Sequence, residues 1–211
     1  MRRWTGIAGI VWVVLAFVSR LVRGGVPDPS GDHAVDKFAS FYAKTSHQDH
    51  ALTSAVVGLI GLFFFAWFVG GVISRLREAE GAPGAAMIVM SVAAGAFVAL
   101  AAVTHVFDDS IGITLHFSSS YKLDPGLAVV MSTAGTGAFL ASMIAVGAAT
   151  AAAGVMILQT RALPVWIAWI GFAIAVLSLP TIPPLSFIAA LLLAVWAVAV
   201  SVALLMETSP A

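Results

Sequence analysis

Six long apolar segments, separated by short stretches that hold most of the charge, constrain this chain more than any other feature. They fall at about 4–22, 51–74, 84–106, 127–158, 164–179 and 185–206. Crossing ~30 Å of hydrocarbon at ~1.5 Å per residue takes about 20 helical residues. Four segments meet that length directly; the fourth in order is too long and the fifth too short. Hydrophobic residues make up 61% of the chain and charged ones 9%, against roughly 45–50% and about 25% in soluble domains. Lipid must therefore be the main solvent. The expected fold class is all-α: a polytopic membrane helix bundle, one domain over residues 1–211, with six transmembrane helices and a short outer interfacial helix.

The two misfits carry information. In "DPGLAVVMSTAGTG" Pro125 suits a first helical turn and Asp124 can cap it, so the fourth segment is expected to begin outside the bilayer. The fifth is stopped by the prolines of "LPTIPP", and tilt or local thinning would accommodate its short length. The basic, apolar start "MRRWTGIAGIVWVVLAFVSRLVRGG" reads as a retained first helix, since no small-x-small cleavage site follows.

Orientation rests on loop charge. With the N-terminus inside, the inner pieces carry Arg2, Arg3, Arg75, Arg77 and Arg161, and the outer ones carry Arg20, Arg23, Lys37, Lys44 and Lys122. The counts tie, but the inner loops are short and basic, whereas the outer loops are long and hold Asp28, Asp32, Asp36, Asp49, Asp108, Asp109 and Asp124. Short loops weigh most, which places both termini in the cytoplasm of a cell (inner or plasma) membrane; Arg20 and Arg23 argue the other way. Trp4, Trp166 and Trp169 fall near the inner helix ends, as an aromatic belt would.

Within the first outer loop, "DHAVDKFASFYAKT" repeats Val35, Phe38 and Tyr42 at helical spacing, with Asp32 as the expected N-cap. This helix either lies at the interface or packs down onto the bundle. Between the spans, small residues recur every fourth position, at Ser91, Gly95 and Ala99, at Ala134, Ala138 and Ser142, and at Ala66 and Gly70. Such stripes are expected to be packing surfaces, because lipid gives apolar helices no hydrophobic reason to associate.

Missing residues exclude whole classes of chemistry. Cysteine is absent, which removes disulfides, thiolate metal sites and Cys nucleophiles. No basic run suits a phosphate backbone, so nucleic acid is not an expected partner. The spans hold no Lys, Asp or Glu, so there is no Schiff-base lysine and no buried carboxylate relay. Neither a nucleotide fingerprint nor a mid-depth histidine pair for haem is present.

Two polar sets remain. All five histidines, His33, His47, His50, His105 and His116, fall on the predicted outer side or at its membrane boundary. In "THVFDDS" a continuing helix would hold Asp108 and Asp109 beside His105. If the second and third spans are neighbours, His47, His50, His105, Asp108 and Asp109 would converge into a nitrogen and carboxylate set suited to a divalent metal; the competing reading is a hydrated rim of salt bridges and caps. Ser132, Thr133 and Thr136 in "MSTAGTG" either line a small ligand cavity or bond their own backbone carbonyls.

The stretches "AVDKFASFYAKT", "FFFAWFVGGVISRLREAEGAPG" and "LQTRALPVWIAWIGFAIAV" carry a resemblance that covers nearly the whole chain. In their order the sequence resembles small multi-pass bacterial membrane proteins, largely actinobacterial in type, grouped under a domain of unknown function. The resemblance implies six helices and supplies no catalytic residue. The leading functional expectation is a non-enzymatic module that binds a partner subunit, a lipid or another small apolar molecule. Its partners would be the bilayer, another membrane subunit or a second copy. One rival is a metal-dependent membrane enzyme using His50, His105 and Asp109. Another is a small transporter, which would need a continuous polar path.

Overall fold

The computed structural model describes residues 2–80, 84–118, 120–179 and 182–207. These form seven α-helices: α1 Arg2–Arg23, α2 Ala34–Tyr42, α3 Thr45–Glu80, α4 Ala85–Phe117, α5 Pro125–Thr160, α6 Val165–Ser178 and α7 Pro183–Met206. No strand occurs among the described residues. Five of the helices, all but α2 and α6, are long and apolar enough to cross a membrane. The 14 residues of α6 rise only about 21 Å, so length alone does not make it a sixth span.

Six helices close a ring in chain order. α1 packs on α3, α3 on α4, α4 on α5, α5 on α6, α6 on α7, and α7 returns to α1. The interior is filled by Phe65, Phe68, Met90, Met143, Met156 and Trp196, all buried. Glycines set the closest approaches: a Cβ at Gly9 would meet Phe68, one at Gly71 would meet Thr5, and one at Gly147 would meet Ser178. Polar ties between helices are few, as expected where packing does most of the work. Ser19 Oγ donates to the Ser54 carbonyl at 2.9 Å, and Trp196 Nε1 donates to the Ile167 carbonyl at 3.2 Å.

Only one small-residue stripe packs as expected. Ser142 is buried and Ala134 and Ala138 half-buried, whereas Ser91, Gly95 and Ala99 face outward, as do Ala66 and Gly70. Nothing lies within 4 Å of where a Cβ at Gly70 or Gly95 would stand. Spacing alone permits close approach; it does not say which face a neighbour will take.

At one end α3, α4 and α5 run on past the ring and build a second, smaller core. Phe38 and Tyr42 of α2 are buried there with Ile111 and Ala128. Of the two readings of α2, packing onto the bundle is seen for Phe38 and Tyr42, while Val35 of the same stripe is exposed. Asp32 is not its cap, because His33 takes that position in a left-handed conformation (φ 57°) with no side-chain cap bond.

The α5 start agrees with the sequence reading. Asp124 accepts hydrogen bonds from the backbone N–H groups of Gly126 and Leu127, with Pro125 in the first turn. Of the prolines expected to stop the fifth segment, Pro180 lies outside the described residues, as does the tail at 208–211; α6 ends at Ser178 and α7 opens on Pro183 and Pro184.

Candidate functional site

The residues proposed as metal ligands are divided by the helix register. α4 does not end near residue 106 but continues to Phe117, because Ile111 finds partners in the second core. His105 therefore sits more than three turns before the helix end. It faces Gly58 on α3, while Ala51 faces Gly112 and Asp49 pairs with His116 at 2.8 Å. His50 is exposed and lies eight residues, about 12 Å of helix, from the Gly58 level.

"TSHQDH" is itself helical, forming the first turns of α3. Two of its side chains reach back to carbonyls at the C-terminal end of α2, one of which, that of Phe41, also accepts from the Lys44 backbone N–H. Gln48 Nε2 donates to the Tyr42 carbonyl at 2.9 Å, and His47 Nδ1 lies 2.7 Å from the Phe41 carbonyl. A carbonyl can only accept, so His47 Nδ1 carries the hydrogen. The His47 ring also stacks on Phe41, with centroids 4.0 Å apart. His47 is a helix cap, the work that basic groups do at C-termini.

The partner that sequence reasoning missed is Arg23, at the end of α1. Its Nη1 donates to Asp108 Oδ2 at 2.5 Å and its Nη2 to the Asp108 carbonyl at 3.2 Å. Its Nε stands 3.2 Å from Asp109 Oδ1, and His105 Nδ1 stands 3.5 Å from Asp109 Oδ2. Asp109 is 0% exposed, and neither of its side-chain oxygens has a hydrogen bond of good geometry. One guanidinium thus serves two carboxylates. Neighbouring helices leave room for the cluster through glycine: a Cβ at Gly58 would strike the His105 ring, and one at Gly135 would strike Asp108.

Arg20, one turn back, lies within electrostatic reach of both acids, and its guanidinium sits over the Phe187 ring at 5.6 Å. From the second core, Tyr42 closes the cluster from above, and the void bounded by Arg23, Tyr42, His47 and Asp109 has no room for a water molecule. Burial pushes the Tyr42 hydroxyl up to about 12; Arg23 opposes that shift, and Asp109 and Asp108 add to it.

This arrangement clamps helices together and offers no open coordination position. Among the described residues, no three His, Asp or Glu side chains converge as a metal-binding group. The Arg23 charge occupies the place beside Asp108 and Asp109 that a cation would take. A pair of acids facing two arginines at the same end of two helices was the signal available in the sequence.

In the second polar set the two threonines bond backbone carbonyls. Thr133 donates to the Val129 carbonyl and Thr136 to the Ser132 carbonyl. Thr133 and Thr136 are exposed and Ser132 is buried.

A larger recess lies toward the opposite end of the ring. Between the first half of α1 and the second half of α3 runs a groove of about 960 Å³. Its walls are Trp4, Ile7, Phe63 and Trp67, and Gly70 lies in its floor. These residues are exposed on the outer surface of the bundle. The groove exists because Ala66 and Gly70 carry little or no side chain where bulkier residues would fill the furrow. Ser74, Arg75 and Glu78 form its one polar end. There Arg75 donates from Nε and Nη2 to Glu207 at 3.2 and 3.4 Å.

No protein-family model matches this chain, and comparison with curated proteins and with solved structures found no match.

Proposed function

We propose that this protein is a non-enzymatic module of the cell membrane that holds a membrane lipid along the α1–α3 groove. The groove carries the reading: it is large, apolar along its length, open sideways and polar only where the helices reach a headgroup region. From Phe63 to Glu78 it follows α3 for about 22 Å, more than one leaflet's ~15 Å share of the hydrocarbon. A lipid chain can lie along the full length with its headgroup at Ser74, Arg75 and Glu78.

In this reading α6 makes a sixth, short crossing and both termini are cytoplasmic. The first point is supported by α6 running antiparallel along α5, with Gly147 beside Ser178 and Gly154 beside Phe172. The second is supported by the short basic loops at the Arg75 and Arg161 end. The side chains that fill the ring interior weigh against a transport path, and Arg23 against a metal centre.

Native mass spectrometry of detergent-purified protein tests the lipid reading. Wild type should retain lipid-mass adducts, and Gly70→Leu, which adds a side chain where nothing now stands, should lose them while unfolding at the same temperature or above. Equal retention in both proteins refutes the groove.

A further inference from the structure

The polar end of the groove has an order to it, and that order selects a headgroup. Arg75 and Glu78 are three residues apart on α3 and both line the groove. On a helix that spacing leaves them on one side, about 4.5 Å apart in rise. Moving out of the apolar part toward the helix end, the groove first presents a cation and then an anion.

A phospholipid with an amine-bearing headgroup has the complementary order. Its phosphate is next to the glycerol, close to the hydrocarbon, and its ammonium lies further out. Arg75 is suited to the first charge: its pair with Glu207 uses Nε and Nη2, while a guanidinium has five N–H donors. Ser74 adds a hydroxyl on the same rim. Glu78, exposed to solvent and already engaged within the protein, is suited to the second, because a carboxylate has about four lone-pair sites on its two oxygens and accepts further charge-assisted hydrogen bonds from an ammonium.

We infer that the α1–α3 groove selects a zwitterionic phospholipid whose headgroup is a phosphate followed by a primary ammonium, with the phosphate at Arg75 and the ammonium at Glu78. A trimethylammonium headgroup keeps the charge but has no N–H to donate, and a phosphoglycerol headgroup puts no cation at Glu78. The inference rests on the lipid reading above and adds the chemistry of the occupant.

The test uses the full chain reconstituted in vesicles of equimolar phosphatidylethanolamine, phosphatidylglycerol and phosphatidylcholine, re-extracted, with the retained lipid measured by mass spectrometry. Wild type should enrich phosphatidylethanolamine about two- to fivefold over each of the others, the span expected of one exposed ion pair. Glu78→Gln should abolish that preference, Glu78→Asp should keep it, and Glu78→Lys should shift it toward phosphatidylglycerol. Gly70→Leu should lower retention of all three lipids alike. Retention without preference in wild type, or a preference that survives Glu78→Gln, overturns the headgroup assignment and leaves the groove standing. Retention unchanged in Gly70→Leu overturns the groove reading, and the assignment with it.

Discussion

The imidazole of His105 occupies the space that a Cβ on Gly58 would need. Two helices can approach closely at a glycine, and here the approach is used to hold a half-buried polar ring rather than a second backbone. Gly58→Ala should therefore force the ring or the helix to move, at a cost of about 1–3 kcal/mol for overpacking. His105→Ala in the same chain should recover most of that loss, since it removes the atoms that clash. Thermal unfolding of the two single variants and the double variant in detergent gives the coupling directly; strictly additive effects would show that the two residues are not in contact.

Much of the scaffold is legible in the sequence because lipid imposes simple rules. The apolar segments, the Asp124–Pro125 start of α5 and the amphipathic α2 all follow from local patterns of period and capping. The register of α4 is different. "VFDDS" looks like a helix leaving the bilayer, and nothing local says that Ile111 will find Phe38 and Tyr42 and carry the helix onward to Phe117. A helix ending near residue 106 would set His105 beside His50; the longer α4 sets it against Gly58. The pairing of Arg23 with Asp108 spans 85 positions, beyond any local pattern. The groove was hidden because Ala66 and Gly70 carry the same spacing whether or not a neighbour covers them.

Arg23 is the counter-charge for a carboxylate that is fully buried. Its replacement by alanine should leave Asp109 with only the more distant Arg20 and His105 at 3.5 Å, and breaking a buried pair from one side costs up to about 3–5 kcal/mol. Replacing both acids by asparagine in the Arg23→Ala background should restore much of this, because the unpaired charge is then gone. Denaturant titration in mixed micelles measures all three proteins. An Arg23→Ala variant as stable as wild type would mean that Arg20, His105 or water compensates the charge of Asp109.

Tyr42 gives the second core a dependence on alkaline pH. Its hydroxyl has a folded value of about 12 against an ordinary ~10, so the folded state keeps the proton more tightly than the unfolded one. The stability linked to this proton is fully present below about pH 10 and is lost as pH rises toward 12. In a Tyr121→Phe background, Tyr42 is the remaining tyrosine of the two, and its ultraviolet absorbance reports tyrosinate. The midpoint of its titration should lie near pH 12, and Tyr42→Phe should flatten the loss of stability above about pH 10. A midpoint at the ordinary value would place the hydroxyl in water.

Asp124 supplies the last test, because it separates a local effect from a global one. Its Oδ1 accepts from Gly126 N at 2.9 Å and from Leu127 N at 3.2 Å, satisfying two of the donors that a helix start leaves open. Asp124→Ala should cost about 1 kcal/mol, within the 0.5–2 kcal/mol range for N-caps. The loss should be confined to the first turn of α5, since the rest of that helix is fixed by α4 and α6. Amide hydrogen exchange should therefore quicken at Gly126, Leu127 and their neighbours while Val146 and Ile157 keep their protection. Asp124→Asn should recover most of the protection by keeping the acceptor, and fall short by the part that its negative charge contributes at the positive end of the helix dipole. Faster exchange along all of α5 would instead mean that the cap holds the whole helix in place.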